Sequence, residues 1–291
     1  MGEPDRYGVV GSPIGHSRSP FIHAHFAAAS SQSMIYSAYD VPPAKFPTWV
    51  KVFFTQGGCG LNVTVPHKEA ALLIADQLSE RARQAGAVNT LMRETSGTLL
   101  GDNTDGIGWI TDLETRGVSL RGSDVLILGA GGATRGILGP LLAQQPARIT
   151  IANRHIERAA ELIARFAHEA SRSHTAFSAI SLSDLTHEAA ARSAPVDLLV
   201  QATSLGLDGR MPVLSDGLIA AHTLAYDLAY GEAAIPFCDW ARSRGARAVF
   251  DGIGMLIEQA AESFRLWRGL RPDTRSLRLE LASHSSLRNT P

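Results

Sequence analysis

The sequence predicts a two-domain α/β protein with largely parallel sheets, and three observations support that. Short apolar runs rich in β-branched residues alternate with helical patterns of roughly 10–15 residues, as strand–helix–strand units do. A glycine cluster at 129–132 falls directly between an apolar run and a helical pattern. The 291 residues are enough for two separate cores.

Taken in order, "YGVVG" (7–11) reads as a strand, followed by a Gly/Ser/Pro loop and a helix over 20–29. "CGLNVTV" (59–65) reads as a second strand, with a helix over 66–75. "AVNTLMRE" and "GTLLGDN", within 87–103, form a hairpin pattern, and a helix over 106–116 follows. Next come strand "DVLILG" (124–129), a helix over 133–144, strand "RITIAN" (148–153) and a helix over 156–170. "DLLVQAT" (197–203) and "TLAYDLAY" (223–230) read as two further strands. A last strong helix over 255–267 follows the Gly-rich "DGIGM" (251–255), and the charged, Ser-rich tail from Arg271 has weak periodicity and reads as frayed. One boundary stands out at 105/106.

Composition narrows the function classes. With 45% apolar and 19% charged residues and a formal net charge of −1, nothing points to nucleic acid or to an acidic membrane as partner. No apolar run approaches the ~18–20 residues of a membrane span, and the charged first ten residues are no secretory signal. Two distant cysteines, Cys59 and Cys238, suit a reduced, cytoplasmic compartment. The histidines form neither HExxH nor a zinc spacing, so no metal is expected, and no GxSxG elbow occurs. The chain uses 24 arginines but three lysines, Lys45, Lys51 and Lys68. The lysine at 68, between a β-branched run and a helix start, therefore stands against a chain-wide preference.

"VLILGAGGATRG" places Gly129, Ala130, Gly131, Gly132 and Ala133 between strand and helix, where a dinucleotide fingerprint belongs. The sixth position of GxGxxG is Thr134, which leaves close helix packing to Ala133 and Gly136. The following strand ends 24 residues after Gly129 at Asn153 and Arg154, where an NAD enzyme would carry a carboxylate for the ribose hydroxyl. Arg158 lies one turn further on the same face. A carboxylate repels a 2′-phosphate whereas guanidinium groups grip it, so NADP is favoured over NAD.

The motifs together resemble the shikimate/quinate dehydrogenase family almost end to end. They are "PIGHSRSPFIH" (13–23), "GLNVTVPHKE" (60–69), "GAVNTL" (86–91), "GDNTDGIG" (101–108), "GAGGATRG" (129–136), "NRHIER" (153–158), "DLAY" (227–230) and "DGIGMLIEQAAESFRLWRG" (251–269). The resemblance implies hydride transfer between NADPH and the ring carbonyl of 3-dehydroshikimate in aromatic amino-acid biosynthesis. It implies a substrate domain of residues 1–105 with 252–291, carrying a mixed sheet, and a Rossmann-type NADP-binding domain of residues 106–251, with a cleft between the two and hinge glycines at 106 and 252–254. It implies Lys68 and Asp105 as the catalytic pair. A lysine can give up a proton and take it back, which an arginine cannot at working pH. By resemblance, Ser17 and Ser19 hold the substrate carboxylate, although by themselves they also read as a helix cap. Thr64, Asn89, Asp105, Tyr230 and Gln259 meet the rest of the substrate. Glu80, Thr203, Leu228 and Gly252 join the glycine turn, Asn153, Arg154 and Arg158 around the cofactor.

The chain departs from the family pattern at Gln201, His155 and Ile235, which bears on cofactor affinity. A relative preferring quinate or an aminoshikimate is one alternative reading, and a dinucleotide-sensing protein without catalysis is another. A monomer or homodimer is expected.

Overall fold

The computed structural model describes residues 3–185 and 195–286. Its elements run β1 (Asp5–Gly11), α1 (Ser19–Ala29), β2 (Met34–Asp40), α2 (Phe46–Thr55), β3 (Gly58–Val63), α3 (Lys68–Ile74), β4 (Gln77–Leu78), α4 (Glu80–Ala85), β5 (Thr90–Arg93), β6 (Leu99–Asp102) and α5 (Asp105–Thr115). They continue with β7 (Asp124–Leu128), α6 (Gly132–Ala143), β8 (Arg148–Asn153), α7 (Ile156–Arg165), α8 (Ala167–Arg172), β9 (Ala176–Ser181), β10 (Leu198–Gln201), β11 (Leu224–Asp227), α9 (Ile235–Ser243), β12 (Ala248–Phe250), α10 (Ile253–Arg268) and α11 (Arg275–Ser286). The chain divides into two compact units, Met1–Thr111 with Leu256–Pro291, and Asp112–Met255.

The first unit holds a mixed six-stranded sheet in the order β2-β1-β3-β5-β6-β4. Strands β2 and β3 flank β1 in parallel, and β5 runs antiparallel to both β3 and β6. Its core gathers Val10, Leu61, Val63, Val88 and Leu91 from the sheet side with Phe46, Val50, Phe53 and Phe54 of α2. Those four helix residues recur at i, i+4, i+7 and i+8, one face of a helix. The second unit is a six-stranded sheet in the order β12-β11-β10-β7-β8-β9, every pairing parallel. That is the doubly wound order, with its switch point between β7 and β10, where ligands bind outside the carboxyl ends of the strands.

The alternation of strand and helix is as expected, with differences that have physical causes. Helix α2 escapes a reading of "FPTWVKVFFT" because aromatic and β-branched residues favour strands locally, and its buried face overrides that preference. Strand β2 escapes because it draws its order from seven register pairs with β1. Strands β9 and β12, the two-residue β4, short α4 and α9 were likewise not anticipated. The helix expected over 156–170 is two helices, α7 and α8, which part at the buried Phe166. The strands expected to reach 65, 203 and 230 end at Val63, Gln201 and Asp227. The tail from Arg271, expected to fray, carries α11. There Leu277 is fully buried, and Arg271, Thr274 and Arg278 bond the buried Glu258 carboxylate. Residues 287–291 of that tail lie outside the described residues. Among the described residues no helix is long and apolar enough to cross a membrane.

Candidate functional site

In the first unit, Lys68 is the first residue of α3 and Asp105 the first of α5. The Lys68 Nζ donates to Asp105 Oδ2 at 2.5 Å, with side chains 19% and 7% exposed. The lysine side chain is thus partly exposed while that of the aspartate is nearly buried. The other carboxylate oxygen, Oδ1, accepts from Asn89 Nδ2 at 2.8 Å. Asn89 cannot rotate its amide freely, because the Thr104 N–H donates to its Oδ1 at 2.8 Å. That bond settles which end of the amide faces Asp105.

Gln259 of α10 closes the group. Its Oε1 lies 3.4 Å from both Asn89 Nδ2 and Thr104 Oγ1, and its Nε2 donates to the Leu256 carbonyl. The approach depends on Gly108, where a Cβ would sit 2.6 Å from the Gln259 backbone nitrogen. Thr64 follows β3, half-buried, with its amide on the Val10 carbonyl and its carbonyl accepting from His67. Ser17 and Ser19 lie at the start of α1, Ser19 buried and Ser17 half-buried. The cap position is held by Arg18, which makes no side-chain cap bond, while Ser17 Oγ accepts the Ser19 N–H at a long 3.3 Å. The cap reading of this loop thus finds one weak bond. Glu80 opens α4, exposed, and pairs with Arg83 at 3.6 Å.

The second unit carries the glycine turn. Gly129 follows β7 with φ +105°, and a Cβ there would stand 3.0 Å from the Ala202 backbone, so a side chain is excluded twice. Added Cβ atoms at Gly131 and Gly132 would meet nothing within 4 Å. Helix α6 begins there with no acidic residue in its first turn and no side-chain cap, leaving its N-terminal amides and positive dipole end to an anion. Thr134, the departure from GxGxxG, is buried and donates to the Gly129 carbonyl at 2.8 Å, bracing the turn. Asn153 accepts from the Ala130 N–H at 3.2 Å and so ties β8 to the turn.

Arg154 and Arg158 are exposed. Arg154 lines a cavity of about 230 Å³ with Ser181, Leu182, Ser183 and Val213. An open glycine turn, an uncapped helix start and exposed guanidinium groups fit a dinucleotide phosphate chain and a 2′-phosphate.

At the carboxyl ends of β10 and β11, Leu228 donates its amide to the Gln201 carbonyl and Gly252 donates to that of Ala229. A Cβ at Gly252 would stand 2.3 Å from the Leu228 carbonyl oxygen. The longer amide of Gln201 is used locally, its Oε1 accepting the Thr203 N–H at 3.1 Å, and Thr203 caps the next turn. Tyr230 sits half-buried at the cap of the turn Gly231–Ala234. Burial pushes the Asp227 carboxyl up to about 7, and burial likewise raises Asp251. His155 and Ile235 are exposed. Among the described residues no group of three or more His, Cys, Asp or Glu side chains could hold a metal ion.

Two features escaped sequence reasoning. The bracing bond of Thr134 is one, and the buried polar set Asn62, Thr90, Thr104 and Ser263 around Asn89 is the other. The signal for Asn62 was available, since a carboxamide amid the apolar run "GLNVTV" is a buried polar group in need of partners.

Comparison with known proteins gives a consistent picture. Residues 9–91 match the family model described as shikimate dehydrogenase substrate binding domain, residues 112–204 match shikimate / quinate 5-dehydrogenase, and residues 252–278 match shikimate 5′-dehydrogenase C-terminal domain. The chain is 48% identical over 276 residues to the shikimate dehydrogenase (NADP(+)) of Methylococcus capsulatus, covering 94% of this chain and 95% of that one. Among solved structures, an Ael1 enzyme from Pseudomonas putida is 41% identical with a TM-score of 0.84, over 95% of this chain and 98% of that one. The shikimate 5-dehydrogenase of Thermus thermophilus, solved with NADP(H) and shikimate, is 32% identical with a TM-score of 0.78, over 94% and 97%.

Proposed function

The chain belongs to the shikimate dehydrogenase family, and from that premise we propose that it interconverts 3-dehydroshikimate and shikimate with NADP(H), an oxidoreductase step of aromatic amino-acid biosynthesis. The observation that carries the reading is the Lys68–Asp105 contact at 2.5 Å, with Asn89 on the second carboxylate oxygen. NADPH, when bound, supplies the hydride that adds to the ring carbonyl carbon.

The chain's own task is the proton. As the carbonyl oxygen gains charge, the Lys68 ammonium donates a proton to it, and in the oxidative direction the neutral amine takes the hydroxyl proton back. The partly exposed Nζ exchanges that proton with solvent between turnovers. Asp105 holds the ammonium in place and accepts from a ring hydroxyl. Asn89, Thr64, Gln259 and Tyr230 meet the ring substituents, and Ser17 and Ser19 donate to the carboxylate. In the second unit Gly129, Ala130, Gly131, Gly132 and Ala133 receive the pyrophosphate, while Asn153, Arg154 and Arg158 take the adenosine end with its 2′-phosphate. Thr203, Leu228 and Gly252 line the nicotinamide, with Glu80 near the cofactor. The unit Met1–Thr111 with Leu256–Pro291 is the substrate domain and Asp112–Met255 the cofactor domain. The enzyme works in the cytoplasm as a monomer or homodimer.

Steady-state kinetics with shikimate and quinate, each against NADP and NAD, test this reading through the absorbance of the reduced nicotinamide. The expected result is a kcat/KM that is highest for shikimate with NADP. Turnover of neither substrate with either cofactor would contradict it.

A further inference from the structure

The Lys68–Asp105 pair is the end of a longer chain of hydrogen bonds that begins on the far strand of the sheet. The Tyr36 hydroxyl of β2 donates to Asn62 Oδ1 at 2.8 Å. The Asn62 amide nitrogen on β3 donates to Thr90 Oγ1 at 3.2 Å and to Ser263 Oγ of α10 at 2.9 Å. Each of those hydroxyls has a single proton, and each has a carbonyl oxygen waiting for it. Thr90 donates to Asn89 Oδ1 at 2.9 Å, and Ser263 donates to the Gln259 carbonyl at 3.0 Å. Asn89 in turn donates to Asp105. The donors therefore all point one way, from Tyr36 through Asn62, Thr90 and Asn89 to the carboxylate that holds Lys68.

The direction follows from Asn62 being an amide. Its nitrogen can only donate, so Thr90 and Ser263 accept from it and each keeps one proton, which Thr90 can place on Asn89 Oδ1 and Ser263 on the Gln259 carbonyl, the two hydroxyls also lying 2.9 Å from each other. Beyond the half-buried Tyr36 the links are buried, Asn62 5% exposed, Thr90 1% and Ser263 0%, so no water re-pairs a reversed member there without cost. The Tyr36 ring that starts the chain is itself held, stacked on the buried His23 ring at a centroid distance of 4.1 Å.

We propose that Asn62 and Thr90 are positioning residues for the reaction: by placing the Thr90 hydroxyl as a second donor on Asn89 Oδ1, beside the Thr104 N–H, they reinforce the hold on the Asn89 amide nitrogen at Asp105, and so keep Asp105 aligned with Lys68. The inference rests on the reading of Lys68 and Asp105 as the reacting pair.

Thr90→Val keeps the shape and removes the hydroxyl, and Thr90→Ser keeps the hydroxyl and removes the methyl. Asn62→Asp keeps the shape and removes the donor, turning Thr90 and Ser263 toward position 62. The measurements are kcat, KM for shikimate, KM for NADP and the thermal midpoint, with Lys68→Ala as control. The loss of one neutral hydrogen bond in Thr90→Val should lower kcat roughly 3- to 10-fold, and Asn62→Asp should lower it further. Thr90→Ser should retain wild-type kcat, and KM for NADP should stay unchanged throughout. Should Asn62→Asp fail to fold, the Val and Ser variants at position 90 carry the test alone. Wild-type kcat in Thr90→Val with only a lowered midpoint would make the network purely structural and overturn the proposal. Equal losses in Thr90→Ser and Thr90→Val would also overturn it. If Lys68→Ala collapses kcat while the network variants do not, this inference falls and the parent reading stands. If Lys68→Ala itself retains kcat, both fall.

Discussion

The polar group around Lys68 and the glycine turn after β7 are built from different parts of the chain. Around Lys68 the work is done by side chains. Asn89, the adjacent pair Thr104 and Asp105, and Gln259 come from three segments, and each is oriented by bonds to the others. At the turn the work is done by main chain. Glycines leave open space, α6 presents its first amides, and the side chains of Thr134 and Asn153 brace the loop from behind. A side-chain site fixes proton positions, which a reaction needs. A main-chain site accepts phosphate from any sequence that permits the turn, and on the proposed reading it leaves selectivity to exposed residues such as Arg154 and Arg158.

That difference also sets what could be read from sequence. The turn is local, so its glycines, the flanking strand and the arginines at the end of the next strand were all visible before any fold was known. Lys68 was visible because it breaks the chain's arginine habit. The network was not visible. Asn62 and Ser263 meet across 201 residues, and nothing in the local pattern of either says so. The same holds for the fold. Strand–helix alternation is local and legible, whereas α2 and β2 depend on a buried face and a partner strand. Even where a residue was singled out, its local duty could differ: Asn153 was noted for what it is not, a carboxylate, and its amide oxygen turns out to hold the Ala130 N–H.

The sharpest separation of the two regions is expected from the cofactor side. Arg154→Ala with Arg158→Ala removes up to two charge-assisted contacts, each about 1.5–3 kcal/mol when well formed. NADP affinity should fall by roughly 10- to 150-fold per contact while NAD is nearly unaffected. Equal weakening of both cofactors would assign the arginines to the scaffold.

On the substrate side, Ser17→Ala and Ser19→Ala should each raise KM for shikimate about 10- to 150-fold and spare kcat. The reason is that the carboxylate changes little in charge between ground and transition state. Because the Ser17 bond to the Ser19 amide is long, at 3.3 Å, the thermal midpoint of Ser17→Ala should hardly move. A lowered midpoint with normal KM in both variants would return the loop to a structural role.

The smallest effects are in stability against pH, where the two units oppose each other. Burial pushes the His23 imidazole in the first unit down to about 3 from its ordinary 6.5. Between those values the unfolded chain binds the extra proton, so this contribution is present above about 6.5 and is lost as pH falls toward 3. Asp227 in the second unit is raised from 3.8 to about 7, so the folded chain binds the extra proton there and stability falls as pH rises through that window. Asp227→Asn should remove that decline, on the order of a few kcal/mol between the two limits. The check is the thermal midpoint from pH 4 to 8. An unchanged slope would mean that Asp227 is as well solvated as an ordinary carboxylate.

On the proposed mechanism, position 68 must exchange a proton and not merely carry a charge. Lys68→Arg keeps the positive charge beside Asp105 and removes the exchangeable proton at working pH. Measured beside Lys68→Ala, with shikimate and NADP at saturating concentrations, kcat should fall in both variants by about 10²–10⁴-fold, the usual contribution of a general acid–base group. A Lys68→Arg enzyme that keeps most of its kcat would contradict the account, because the charge alone would then suffice.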